Sequence, residues 1–356
     1  MENCWQQLTQ PIVGLSPMDG VTDHPYRFIQ KKYGRPDLLY TEFTSVEGVC
    51  HGASRLLNDF LYDETQRPII AQIYGTTPDY FRQTTILLCQ LGFDGIDINM
   101  GCPAKNVAHS GAGAALIKTP ELAQQIVAAT KQGVEDFLSG QRASDCPDIT
   151  KPIAEEIERR ASLLPAQNQT PRRLPISIKT RVGFGQIVVE DWIKTLLETE
   201  PSAIAIHGRT LKQQYGGEAN WDAIGRAATP IKQTSTLVLG NGDLRDRDHA
   251  EQMIERYGLD GALIGRASFG NPFVFLSAEE AERASSETSR FQLALEHSQL
   301  YEKTYQHQAN YNFMPMRKHL GWYVRGVDGA SAIRQELFQT NTSSEVAEIL
   351  AKHQLL

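Results

Sequence analysis

Short, near-continuous apolar runs alternate along most of the chain with longer stretches in which apolar residues recur at helical spacing, as far as about residue 276. The runs Ile12–Ser16, Leu38–Phe43, Ile69–Tyr74, Gly95–Asn99, Ile176–Thr180, Ala203–His207, Thr236–Gly240 and Gly261–Ile264 are the predicted strands. Most are Ile, Val, Leu and Ala without strict alternation, as expected when both faces of a parallel strand are covered. Asp79–Leu91, Glu121–Phe137, Glu190–Thr199 and Asp246–Tyr257 are among the helical stretches between them. Thr77-Pro78 and Thr119-Pro120 have the form of helix starts, a cap residue followed by proline in the first turn. Eight strand–helix units in one run predict an α/β fold, a (β/α)8 TIM barrel. A doubly wound open sheet is the alternative, but the G-x-G-x-x-G turn expected after its first strand is missing.

Two segments depart from that rhythm. Ser139–Leu174 carries many charges and prolines and few large apolar side chains; Ile153–Leu164 could be a short helix and the rest is expected to be mobile surface loop. After Leu276 the strand pattern stops, and Phe291–Gln306, Pro315–Tyr323, Ala330–Phe338 and Ser344–Lys352 are predicted helices. The expected organisation is therefore a barrel over residues 1–280, with a polar insertion at about 139–174, and a small helical domain over 281–356.

Composition narrows the class without naming a function. Apolar residues make up 41% and charged residues 22% of the 356, an ordinary globular balance that excludes a wholly disordered chain. Lys and Arg total 35 against 42 Asp and Glu, a formal charge of −7, which argues against nonspecific nucleic-acid binding over the whole surface but not against a local basic patch. No apolar run approaches the roughly 18–20 residues of a membrane span, and Met1–Gln10 lacks the basic start and apolar stretch of a secretory signal. The five cysteines are scattered and form no C-x-x-C pair, so neither a disulfide framework nor a metal site is expected, and the cytoplasm is the expected location. A monomer is expected.

In a barrel, the residues just past each strand's C-terminal end surround one mouth. Here these are Pro17-Met18-Asp19-Gly20, Gln72, Asn99-Met100-Gly101-Cys102-Pro103, Lys179-Thr180-Arg181, His207-Gly208-Arg209, Asn241-Gly242-Asp243 and Gly265-Arg266. The last two groups follow strands seven and eight, where barrels often hold a phosphate on glycine-rich turns. Taken singly each is no more than a tight turn; together, with the Arg266 guanidinium, they point to a phosphorylated ligand. Lys179 and His207 sit at neighbouring strand ends, and a lysine in that position calls for an anion or an electron-rich cofactor. Gln72 can both give and accept hydrogen bonds, as the edge of a flavin ring requires. A flavin mononucleotide fits this set, among other phosphate-bearing ligands. Cys102 lies in a Gly-Cys-Pro turn at the mouth, and a thiol of ordinary pKa suits a proton donor better than a nucleophile.

In order along the chain, these motifs resemble the tRNA-dihydrouridine synthases. The matching stretches are Ser16-Pro17-Met18-Asp19-Gly20-Val21-Thr22-Asp23, Thr41-Glu42-Phe43, Gln72-Ile73-Tyr74-Gly75, Asp97 to Lys105, and Ser110 to Leu116. Lys179-Thr180-Arg181, His207-Gly208-Arg209-Thr210, Asn241-Gly242-Asp243, Ile264-Gly265-Arg266-Ala267 and, in the C-terminal helices, Arg317-Lys318-His319-Leu320-Gly321-Trp322-Tyr323 complete the set. The resemblance implies a barrel binding FMN, reduced by NADPH or NADH, and a helical domain that helps grip tRNA. It would place Pro17, Met18 and Asp19 along the flavin, Gln72, Lys179 and His207 on its ring or ribityl chain, and Asn241, Gly242, Asp243, Gly265 and Arg266 on the chain and phosphate. Cys102 would be the general acid, with Asn99 and Arg181 holding the uracil. Compared with the family, Ser139–Leu174 is long; it is expected to be passive.

Between Lys303 and Arg334 five cations, Lys303, Arg317, Lys318, Arg325 and Arg334, face a single acid, Asp328, with Tyr305, Tyr311, Trp322 and Tyr323 interleaved. That mixture suits phosphate contact and base stacking, which makes Arg317 and Lys318 candidate RNA contacts; a solvated helix face with core aromatics is the plainer account. Two other functions compete: a flavin enzyme acting on a small free pyrimidine or enone, and an RNA-binding protein without catalysis. The basic helical module opposes the former, and the intact Cys102, Lys179 and His207 set opposes the latter.

Overall fold

The computed structural model describes residues 3–214 and 216–356. Among these residues eight strands form one parallel sheet: β1 (Ile12–Leu15), β2 (Leu39–Ser45), β3 (Ile69–Tyr74), β4 (Gly95–Met100), β5 (Ile176–Arg181), β6 (Ala203–His207), β7 (Leu237–Asn241) and β8 (Gly261–Ile264). Each strand pairs with its neighbour in chain order from β2 to β8, and β8 pairs with β1. Leu15 N–H donates to Leu38 O at 2.9 Å and Asp37 N–H to Val13 O at 3.0 Å, which joins β1 to the start of β2 and closes the cylinder. The expected barrel is therefore present.

Strand ends show where the apolar pattern misleads. β2, β4, β5 and β7 each run one or two residues past their expected ends, to Ser45, Met100, Arg181 and Asn241. The ladder carries polar side chains there, with Arg181 opposite His207 and His207 opposite Asn241, because this end of the barrel opens onto a cavity and is not packed shut. The helices Pro78–Gln90 and Pro120–Leu138 do start at the two prolines, although neither preceding threonine makes a side-chain capping bond.

Alternate strand residues divide between two cores. Val13, Leu15, Ile96, Ile98, Ile178, Ile204 and Ile206 pack outward against the helices. Ile12, Leu38, Tyr40, Ile70, Ala203, Ala205, Leu239 and Leu263 cluster inside with Trp5, whose ring lies 2% exposed on the N-terminal side of the cylinder. This apolar plug seals one end of the barrel.

The insertion is not the loose loop its composition suggests. Lys151–Ser162 is helical, with a 3-10 turn at Ala143–Asp145 and a short helix at Ala166–Gln169. Ile149, Ile153 and Ile157, four residues apart, are all buried and belong to the main core. The Gln83 amide fixes the segment to the barrel flank, donating to Asp148 Oδ2 at 2.7 Å and accepting from Asp148 N–H at 2.9 Å. Arg172 donates to Asp94 Oδ1 at 2.8 Å just ahead of β4, at the end of the barrel away from the cavity. None of its residues lines the cavity at the mouth.

Beyond β8 come five helices, Ala278–Glu287, Arg290–Tyr305, Met314–Tyr323, Ala330–Leu337 and Ser343–Lys352, in the described residues. Leu293, Met316, Leu320, Ile333, Val346 and Leu350, with Phe273 and Leu276, form a separate apolar core. Ala278–Glu287 has no buried residue, so it lacks the apolar stripe by which the other helices are found in the sequence. The helical region is keyed to the barrel through the turn after β8. Phe269 stacks on Trp322 with centroids 3.9 Å apart and planes 10° apart, and Tyr26 Oη lies 2.8 Å from Ser268 Oγ. Gly270 beneath them has φ +69°, and a Cβ there would lie 2.7 Å from the Trp322 carbonyl carbon. Gly270→Ala is expected to destabilise the protein by about 2 kcal/mol, combining left-handed backbone cost and collision. Urea unfolding measures it, and an unchanged midpoint would contradict this account of the joint.

Candidate active site

At the C-terminal ends of the strands lies a cavity of about 1200 Å³. One wall is the turn after β4. Asn99 Oδ1 accepts hydrogen bonds from Gly101 N–H at 3.0 Å and Cys102 N–H at 2.8 Å, folding the Gly-Cys-Pro segment over the strand end. The Cys102 sulfur accepts from Ala104 N–H at 3.5 Å, and the residue is 7% exposed. Burial pushes its thiol above the usual pKa of 9.0, the Ala104 N–H working against this and the Asp19 charge adding to it. At neutral pH the group is therefore a protonated thiol that faces the cavity.

The neighbouring wall is cationic. Lys179 stands beside Asn99 in the β4–β5 register, and its Nζ donates to Asn241 Oδ1 at 3.1 Å. Asn241 Nδ2 in turn donates to Leu263 O at 2.8 Å, tying β5, β7 and β8 together at one level. Burial first and then the Arg181 charge lower the lysine to about 8, with Asp97 and Cys102 opposing. Arg181 itself is 4% exposed and donates through Nε to Gly101 O at 2.5 Å. His207 is held well below its usual value of 6.5 by burial first, then by Arg181, Lys179, Arg209 and Arg266. Its imidazole is neutral and can both donate and accept.

The β7 and β8 turns complete the ring. Arg209 is 3% exposed and grips Asp243 through Nη2, at 2.9 Å to Oδ1 and 2.7 Å to Oδ2. Arg266 Nη2 donates to the same carboxylate at 3.0 Å. Asp243 also accepts from Ala219 N–H at 2.8 Å. Burial would raise its pKa, but that N–H and Arg209 prevail, and it lies below the usual value. Gly242 has φ +128°, and a Cβ on it would stand 2.6 Å from Ala219 Cβ, so the backbone approaches more closely than any other residue would allow. Two guanidiniums, both bonded to Asp243, and two glycine turns beside a lysine could hold an anion such as a phosphate.

Such a site on a closed barrel is compatible with many activities, and comparison with known proteins narrows the choice. The family model described as "Dihydrouridine synthase (Dus)" matches residues 14–139 and 163–355. The chain belongs to the dihydrouridine synthase family. A "Probable tRNA-dihydrouridine synthase" of Staphylococcus aureus (strain COL) is 34% identical over 98% of this chain and 95% of its own length. The "Probable tRNA-dihydrouridine synthase 2" of Bacillus subtilis (strain 168) is 32% identical over 98% and 96%. The stretch that the family model passes over, 140–162, falls within the flank insertion and ends with its main helix.

On this dihydrouridine synthase scaffold, Pro17, Met18, Asp19, Asn99, Cys102, Lys179, Arg181, His207, Asn241, Gly242, Asp243, Gly265 and Arg266 all line the one cavity. Three candidate positions do not. Gln72 is fully buried below the lining, with its amide shared between Asp97 and Asn99. Lys318 Nζ donates to Gly20 O at the rim. Arg317 donates to Thr340 O at 3.0 Å and Asn341 Oδ1 at 2.9 Å, tying its helix to the loop between the last two helices. Of the interleaved aromatics only Trp322 reaches the cavity; Tyr323 is core, and Tyr305 and Tyr311 pack against it. Phe43, Phe269, Arg245 and Arg325 line the cavity without having been singled out as site residues. Arg325 belonged to the basic stretch and Phe43 to a family-like stretch that ends the second predicted strand, but nothing local in the sequence marks Phe269. Among the described residues no helix is long and apolar enough to cross a membrane, and no group of three His, Cys, Asp or Glu could hold a metal.

Alkylation of Cys102 by iodoacetamide in the folded protein, followed peptide by peptide, is expected to rise with pH with a midpoint above 9. A midpoint below about 7 would show a thiolate site at neutral pH and remove the thiol from the role of proton donor.

Proposed function

We propose that this protein reduces the C5=C6 bond of uridine in tRNA to 5,6-dihydrouridine, with FMN as cofactor and NADPH or NADH as reductant. The observation that carries the reading is a protonated Cys102 thiol on the wall of the same cavity as the Lys179–Asn241 pair and the Arg209–Asp243–Arg266 cradle. Family membership supplies the reaction class, and the similar proteins of S. aureus and B. subtilis carry tRNA in their names.

The residues present suit FMN. The cavity volume, about 1200 Å³, lies just above the roughly 300–1,000 Å³ of small-molecule and cofactor sites. The cationic turns after β7 and β8 suit its phosphate, with Gly242 and Gly265 letting backbone approach and Arg266 giving charge. Pro17, Met18 and Asp19 border the same space, while Lys179, His207 and Asn241 offer donors and an acceptor for the ring and ribityl chain. When bound, FMN supplies the hydride delivered to uracil C6 and is recharged by the nicotinamide cofactor.

What the protein does is orient and protonate. Cys102 gives its Sγ proton to C5 of the uracil, balancing the hydride at C6, and the thiolate left behind is reprotonated from solvent. Asn99 fixes the turn that presents the thiol, and Arg181, on the adjacent strand, helps hold the uracil. A uridine must leave its stack to enter, which costs least in an exposed loop. Arg325, Arg245 and Lys105, at the edge of the cavity, are positioned for the phosphates flanking that nucleotide. The protein is proposed to work in the cytoplasm as a monomer, as a barrel over 1–280 and a tRNA-gripping helical domain over 281–356.

Nucleoside mass spectrometry of tRNA from cells lacking the gene, after incubation with protein and NADPH, is expected to show a two-hydrogen gain on uridine. No gain from a flavin-loaded, reducible protein would overturn the reading in favour of a small free pyrimidine or enone as substrate. Cys102→Ala should keep flavin binding and lose on the order of 100-fold or more in turnover. Lys179→Met should weaken FMN binding about tenfold or more. Because the lysine's charge is lost as pH rises through about 8, wild-type affinity should fall across that range. The variant should not show this fall, and the same pH dependence in both would exclude Lys179 as its source.

A further inference from the structure

Beneath the cavity runs a file of buried polar side chains on three adjacent strands. Ser177 Oγ donates to Asp97 Oδ1 at 2.6 Å, and Gln72 Nε2 donates to Asp97 Oδ2 at 2.7 Å. Gln72 Oε1 accepts from Asn99 Nδ2 at 3.0 Å, and Asn99 Oδ1 accepts from the N–H groups of Gly101 and Cys102. The register makes this possible, with Gln72 beside Asp97 and Asp97 beside Ser177. Asp97 and Gln72 are fully buried, and neither lines the cavity.

Both ends of the file demand the same polarity. A carboxylate only accepts, so the Gln72 amide must turn its NH2 toward Asp97 and its oxygen toward Asn99. Backbone N–H groups only donate, so Asn99 must turn its oxygen toward Cys102 and its NH2 toward Gln72. The two requirements meet without conflict at the Asn99–Gln72 bond. Reversing either amide would set donor against donor or acceptor against acceptor at buried side chains. Burial pushes the Asp97 carboxyl up to about 6, with the Ser177 and Gln72 bonds and the Lys179 charge opposing, so it is ionised at neutral pH. Ser177 is the adaptable end, because its hydroxyl also lies 3.5 Å from Ile96 O.

We propose that Asp97 is a positioning residue that acts through Gln72 and Asn99 to hold the Cys102 turn, and with it the proton-donating thiol, in register with the substrate. The proposal deepens the reading above and rests on its assignment of Cys102 as proton donor. It also gives Gln72 a task below the cavity lining.

Exchanging donor and acceptor along the file tests it. Gln72→Glu sets a second carboxylate against Asp97 and breaks the pattern. Gln72→Glu combined with Asp97→Asn restores it. The amide then placed at position 97 accepts from Ser177 and donates to the carboxylate at position 72, which in turn accepts from Asn99. Gln72→Glu is expected to lower kcat for uridine reduction at saturating FMN and tRNA by about tenfold or more. Alkylation of Cys102 at fixed pH should speed up by a similar factor as its turn loosens. The double variant should return both to within about threefold of wild type, a coupling expected only of residues in one network. Gln72→Glu behaving as wild type, or a double variant no better than the single, would overturn the proposal. Should the single variant not fold, a folded and active double variant supports the network and an unfolded one overturns it. If wild-type protein reduces no uridine, the functional reading fails separately, and the alkylation comparison still judges the network.

Discussion

Positive charge crowded into one end of the barrel is the condition that the rest of the site has to meet. Arg181 and Arg209 are almost wholly withdrawn from solvent within reach of Lys179 and Arg266, and Asp243 is the carboxylate bonded to two of the four. Backbone oxygens do much of the remaining compensation, Gly101 and Thr210 for Arg181 and Gly216 and Gly217 for Arg209. The positions of those oxygens are in turn dictated by the turns after β4 and β6. His207 gives up its proton under the same field, and Lys179 holds its own less tightly than an exposed lysine does. On the proposed function the anionic FMN phosphate would relieve this repulsion, and the groups receiving it would need little rearrangement because they are already fixed.

Cys102 lives under the opposite influence a short distance away. Burial and the Asp19 charge keep its proton on, although Arg181 and Lys179 pull the other way. On the function proposed here, one half of the cavity holds negative charge and the other releases a proton. The division follows strand order, with the Cys102 thiol in the turn after β4 and the cations on β5 and in the turns after β6 and β8. A parallel barrel makes the arrangement simple, because every strand delivers its last residues to the same place.

The sequence revealed the frame of this site better than its supports. All eight strands and most mouth residues were legible, since a strand's apolar run points to the residue that follows it. Gln72 was correctly placed near the end of β3, but sequence could not say that its amide would be consumed by Asp97 and Asn99, because that depends on register across three strands. Arg317 and Tyr323 looked like RNA contacts by composition and are occupied within the helical region, which a charge count does not detect. The insertion was misjudged because its average polarity concealed Ile149, Ile153 and Ile157, whose even spacing was the better guide. Phe269 meets Trp322 across more than fifty residues of chain, a pairing without a local signal.

The apolar plug around Trp5 has a consequence for traffic. Among the described residues Ile12, Leu38 and Ile70 close the far end, and the cavity opens at the strand-end loops, beside Trp322 and Arg325. On the function proposed here, two bulky visitors must use that opening, a nicotinamide nucleotide and a folded RNA. Neither can leave by a back exit while the other arrives, so they take turns at the threshold, and the redox equivalent left by one must wait inside for the other.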